Sequence, residues 1–127
     1  MPRGRAGAAA SAATLAKKGR GFMPDNGVRV VARVVARPGK EEELRTLLRG
    51  LIEPTRREHG CVTYELLQNT ADPTDFTFVE EWSSEADLDA HLQSAHLRNA
   101  RSRLPELAAA DPDIRRYTVV GVNPKVS

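Results

Sequence analysis

The side chains able to do chemistry gather in residues 58–96, EHGCVTYELLQNTADPTDFTFVEEWSSEADLDAHLQSAH. His91 is foremost, because an imidazole titrates near neutrality and can take or give a proton at physiological pH. Leu88, Leu92 and Ala95 share its side of a helix, so it is either a core-edge histidine bonded to a backbone carbonyl or a base facing a pocket. Glu80 lies on one strand face with Phe76, Phe78 and Trp82; it is either a carboxylate that orients His91 or a solvated charge at the rim. Tyr64 can hydrogen-bond a ligand oxygen or simply pack. Arg101 and Arg103 suit an anionic group, against the default of an exposed helix face. His96 follows His91 by five residues, about 140° round on an unbroken helix. The two are therefore expected to be a poor metal pair, with His96 capping a helix or meeting a second subunit.

These residues need a scaffold, and 127 residues allow one domain of ordinary size. Residues 1–27 hold five Lys/Arg against one acid, and the remaining 100 hold 14 Lys/Arg against 16 acids. The basic character thus belongs to the tail, and the rest has no electrostatic footing for nucleic acid. The tail is Ala/Gly-rich with no helical or strand period, so it is expected to be disordered. Residues 28–122 are expected to form the folded domain and 123–127 a short C-terminal tail. Cys61 is the sole cysteine, which excludes an internal disulfide and a cysteine-rich zinc pattern and suits a cytoplasmic protein. No apolar run reaches the ~18 residues of a membrane helix.

Alternation and stripes then supply the elements. Val28–Arg37 (VRVVARVVAR) is a strand with one wholly apolar face, Val28, Val30, Ala32, Val34 and Ala36. Valines also recur on its second face, which is expected to be covered too. Leu44, Leu47, Leu48, Leu51 and Ile52 mark an amphipathic helix, interrupted by Pro54 and closed at His59-Gly60. Residues 61–68 and 76–82 read as an antiparallel pair around the turn-rich NTADPTD. On the first of these, Val62, Tyr64 and Leu66 are expected to share a face opposite Cys61, Thr63, Glu65 and Leu67. Ser84 with Asp87 starts the helix of His91. A further helical stretch ends near Pro105, and Ile114–Val120 is the last strand. The order β, α, β, β, α, β is that of a ferredoxin-like α+β domain, an antiparallel sheet with helices on one face. The other face is expected to be covered by a second copy in a two-fold homodimer.

The composite of Gly60-Cys61 with Tyr64, then Glu80-Glu81-Trp82, then Ala90-His91-Leu92 and Ser94-Ala95-His96, resembles the antibiotic biosynthesis monooxygenase family. The resemblance spans about residues 28–120 and implies a dimeric ferredoxin-like α+β barrel. Its oxygenase members oxidise electron-rich phenols, quinols or anthrones with dioxygen, without metal, flavin or nicotinamide. It implies a small aromatic substrate, His91 as base, and Tyr64, Phe78, Glu80, Trp82 and Arg101 around the substrate. The polyketide oxygenases of the family carry an Asn four residues before the Trp matched by Trp82; here that position is Phe78. The haem-degrading members' Trp and His fall at His91 and near Arg101, which argues against haem degradation. Two rival expectations remain: an acid–base isomerase of a small phosphorylated metabolite, favoured if Arg101 or Arg103 faces the pocket, and a non-catalytic ligand-binding dimer.

Overall fold

The structure is a computed structural model that describes residues 27–122. The expected tails, 1–27 and 123–127, lie outside the described residues except for Gly27. Strand β1 (Val28–Val35) alternates as its sequence does, with Val28, Val30, Ala32 and Val34 buried. It is central, pairing antiparallel with β3 (Asp75–Trp82) on one side and β4 (Asp113–Tyr117) on the other. β2 (Cys61–Gln68) completes the sheet against β3, in the order β2-β3-β1-β4. Helices α1 (Glu41–Arg49), α2 (Ile52–Arg56), α3 (Glu85–Leu92) and α4 (Ala95–Leu107) fall between the strands in the ferredoxin-like sequence.

The core lies between sheet and helices, where Val30, Phe76 and Trp82 meet Leu44, Leu88 and Leu107, each almost fully buried. Each such side chain contributes roughly 1.5–3 kcal/mol when fully buried. The outer face is different: Val31, Val35 and Val79 are half-covered, among ion pairs such as Arg33–Asp75 at 2.8 Å. Among the described residues no helix is long and apolar enough to cross a membrane.

Four details depart from the sequence reading. The first helix breaks at Gly50, not Pro54; Pro54 sits in the first turn of α2, where its missing N–H has no intrahelical partner to lose. The leucine stripe crosses the break, with Leu44, Leu48 and Leu51 all buried. A bulge at Val62 sets Cys61 opposite Trp82 and Tyr64 opposite Glu80. Cys61 therefore turns toward the core and Val62, 53% exposed, turns out. Helix α4 runs through Pro105 to Leu107. Finally, β4 stops at Tyr117, opposite Arg29; one more residue would reach Val28, where β1 begins, and among the described residues Val119 and Val120 are exposed and outside the sheet.

Candidate active site

The site is assembled on the short connection between α2 and β2. Glu58 N–H donates to the Thr55 carbonyl at 3.0 Å, and Cys61 N–H returns to the Glu58 carbonyl at 3.2 Å. Gly60 makes the turn at φ +82°, a backbone that side chains rarely adopt. It also packs against α3: a Cβ there would lie 2.2 Å from the Asp87 carboxylate. Ser83 N–H donates to the Gly60 carbonyl at 2.8 Å, and Asp87 holds the ring of His59 at 2.9 Å. Asp87 N–H in turn donates to Ser84, the N-cap of α3. The loop and the start of α3 are thereby clamped together, with Glu58 between them.

Two histidines converge on that glutamate. His91 Nδ1 lies 2.8 Å and His96 Nε2 2.7 Å from the same oxygen, Glu58 Oε2. His96 reaches it because the helix does not run on. It turns after Leu92, and Ser94 caps a new helix by accepting from Leu97 N–H. The angle reckoned for an unbroken helix therefore does not apply, and the two imidazoles form a pair with ring centres 6.2 Å apart. Nor is His91 tied to a backbone carbonyl. A carboxylate oxygen accepts, so Nδ1 of His91 carries the proton and Nε2 is left with a lone pair. Burial drives the His91 pKa below the ordinary histidine value, opposed by the hydrogen bond and charge of Glu58. The ring is 2% exposed, and at neutral pH it is uncharged and basic at Nε2.

His91 lines a largely apolar cavity of about 60 Å³ between sheet and helices, together with Tyr64, Phe78, Glu80, Arg101 and Ile114. Tyr64 stacks on Phe78 at 4.7 Å and meets the His91 ring edge-on at 5.5 Å. Burial, then the nearby Glu80, pushes the Tyr64 phenol well above its usual range, so it is a donor and not a base. Glu80 is neither a solvated rim charge nor the partner of His91. It is 4% exposed and accepts the indole N–H of Trp82 at 2.8 Å. Burial raises its pKa to about 7, against the opposing Trp82 hydrogen bond.

Trp82 is fully buried, its ring tilted 32° to that of His91 with centres 4.7 Å apart, and it backs both His91 and Glu80. Arg101 lines the cavity while donating to the Leu92 carbonyl at 2.7 Å. Arg103 lies instead on an open groove between α1 and α4 that also exposes His96. Cys61 is half-buried and its thiol is pushed up to about 11, chiefly by burial. Glu58 was not singled out by the sequence reading. The one local signal for its neighbourhood was Ser94, an N-cap residue between the two histidines that announces a helix break.

Residues 27–103 match the family model described as antibiotic biosynthesis monooxygenase. A Mycobacterium tuberculosis protein whose name marks it as a candidate monooxygenase, Rv0793, is 40% identical over 80 residues, 63% of this chain and 78% of that protein. Its solved structure superposes with a TM-score of 0.72 at 31% identity, covering 77% of this chain and 99% of that one. PA3566 from Pseudomonas aeruginosa superposes equally well, TM-score 0.72 at 29% identity over 80% of this chain and all of that one. The uncharacterized protein sll1783 of Synechocystis is 30% identical over 95 residues, 75% of this chain, and the match spans 65% of its length.

Proposed function

Because this chain belongs to the antibiotic biosynthesis monooxygenase family, we propose that it is a monooxygenase needing no cofactor, oxidising a small electron-rich phenol or quinol with dioxygen. The observation that carries the reading is the Glu58–His91 pair, 2.8 Å apart, on the wall of an apolar cavity. Glu58 fixes the tautomer, so Nε2 is the base. Nε2 takes the phenolic proton, and the anion passes one electron to dioxygen. The radical pair closes a C–O bond, and the peroxide anion so formed accepts the proton held on Nε2 to become a hydroperoxide. Loss of water then leaves a quinone carbonyl. One oxygen atom ends in product and one in water, and all four electrons come from the substrate. Glu80, holding a proton near neutrality, is placed to hydrogen-bond the developing anion. Tyr64, Phe78 and Arg101 border the ring, and Trp82 steadies His91 from behind.

At about 60 Å³ the cavity is far below the ~300–1,000 Å³ of ordinary small-molecule pockets, so substrate must widen it. The same reading includes a homodimer through the outer sheet face, covering Val31, Val35 and Val79. It also includes a cytoplasmic setting, in keeping with a lone thiol. Sedimentation of wild type against Val79→Arg tests the dimer, a monomeric wild type counting against it. Arg101 on the cavity wall favours one second reading, the isomerase of a phosphorylated metabolite.

Oxygen uptake by metal-stripped, flavin-free protein against hydroquinones, naphthoquinols and anthrones tests the leading reading. Uptake above autoxidation that falls ~10²–10⁴-fold in His91→Ala is the expected result. Turnover of a confirmed substrate unchanged in that variant would remove His91 as base. Silence across the panel would shift the weight to the isomerase reading.

A further inference from the structure

We propose that Glu58, His91 and His96 form a binding site for a divalent transition-metal ion of the zinc class, and that metal bound there silences His91 as a base. The proposal goes beyond the oxygenase reading, and its first readout, metal binding, does not depend on turnover.

Three donors of the types such ions prefer, two imidazole nitrogens and a carboxylate oxygen, lie within 4.8 Å of one another. They come from three separate segments: the loop after α2, the last turn of α3 and the first turn of α4. A tetrahedral ion with bonds of ~2.0–2.1 Å holds its ligand atoms about 3.3 Å apart. The two oxygen–nitrogen separations, 2.8 and 2.7 Å, need to lengthen by roughly half an ångström to meet that geometry. Three protein ligands leave a fourth position for water, the pattern of an open site.

An access route is present. His96 is 24% exposed at its side chain and borders the groove between α1 and α4, a space of about 520 Å³. Glu42, Glu43 and Arg103 line the same groove. The remaining histidine of the chain, His59, has a 93% exposed side chain and meets a single carboxylate, Asp87, so it offers two donors where the cluster offers three.

The chemical consequence follows from which nitrogen is used. A metal on Nδ1 of His91 takes the place of the proton now shared with Glu58, and the neutral ring then carries its single proton on Nε2 instead, the tautomer in which an imidazole ligates through Nδ1. The atom that would accept the substrate proton is thereby filled. Metal binding and proton abstraction compete for one imidazole.

The test uses the full chain, stripped of metal and titrated with Zn²⁺ against a chromophoric chelator, with Co²⁺ as the spectroscopic probe. One equivalent per chain and an intense visible Co²⁺ spectrum of tetrahedral type are expected. Binding should weaken at least ten-fold in His96→Gln and in Glu58→Gln and stay unchanged in His59→Gln. A chelator that keeps all the zinc, an octahedral cobalt spectrum, or loss of the equivalent in His59→Gln would overturn the site. If His96→Gln does not fold, the wild-type cobalt spectrum alone decides the geometry. Given a confirmed substrate, zinc should inhibit and chelator restore the rate; activation by metal would overturn the silencing.

Discussion

The cavity has two unlike walls. One, made by the Glu58 loop, His91 on α3 and the buried end of β3, is clamped: Glu58 holds two histidines, Trp82 holds Glu80, and Gly60 is wedged against Asp87. The other is the edge strand β4, every residue of which is exposed in the single chain, with Ile114 and Pro112 reaching the cavity. Beyond its ladder to β1, β4 is tied to α3 by Arg116, which bonds Glu85 and Asp89. The contrast predicts that the chemistry sits on the clamped wall and that access comes across the edge strand. A cavity of about 60 Å³ requires such a division, because opening the clamped side would scatter the base and its partner.

The largest expected effect tests the clamp. Gly60→Val places a β-branched residue at φ +82° with its Cβ 2.2 Å from a carboxylate oxygen, and should cost roughly 3 kcal/mol or more. Thermal melting should show a loss of well over 10 °C. A melt within a few degrees of wild type would mean that the loop is free, and the contrast between the walls would break.

Next is the buried carboxyl on the same wall. Glu80 has an ordinary pKa of 4.5 when unfolded and about 7 when folded. Between those values the folded chain binds the extra proton, so stability falls as pH rises from about 4.5 through 7. The full shift is worth at most about 3 kcal/mol. Glu80→Gln keeps an acceptor for the Trp82 indole without a charge, and should be about 2 kcal/mol more stable than wild type at pH 8, with the difference gone at pH 4. Urea unfolding at both values checks this. A wild-type stability that rises over the same interval would mean that Glu80 is solvated.

What could be read in advance divides along the same line. The alternation of β1 and β3 and the stripe of α1 place apolar residues by local period, so the element order and the shared inward face of Phe76, Phe78, Glu80 and Trp82 on β3 were legible. The convergence of Glu58, His91 and His96 was not, because it depends on a loop docking across 33 and 38 residues. It depends also on a helix break whose one local sign is Ser94. The burial of Trp82 and the early end of β4 are likewise tertiary: one follows from α3 packing over it, the other from the register that sets Tyr117 opposite Arg29.

The smallest expected effect lies on the second wall. Arg116 joins β4 to α3 through two carboxylates, and all three side chains are exposed, at 41%, 56% and 63%. Surface pairs of this kind contribute about 0–1 kcal/mol, so Arg116→Ala should move the melting point by only a few degrees. Its effect on opening should be clearer than its effect on global stability. Amides of residues 113–117 should exchange several-fold faster, while those of β3 and α3 stay at the wild-type rate, because the β1–β3 ladder and the Gly60 clamp do not involve Arg116. High salt on wild type should mimic part of the change by screening the same pairs. If exchange accelerates equally in α3, the two walls move as one body. Access would then have to come through the groove beside His96 and not across β4.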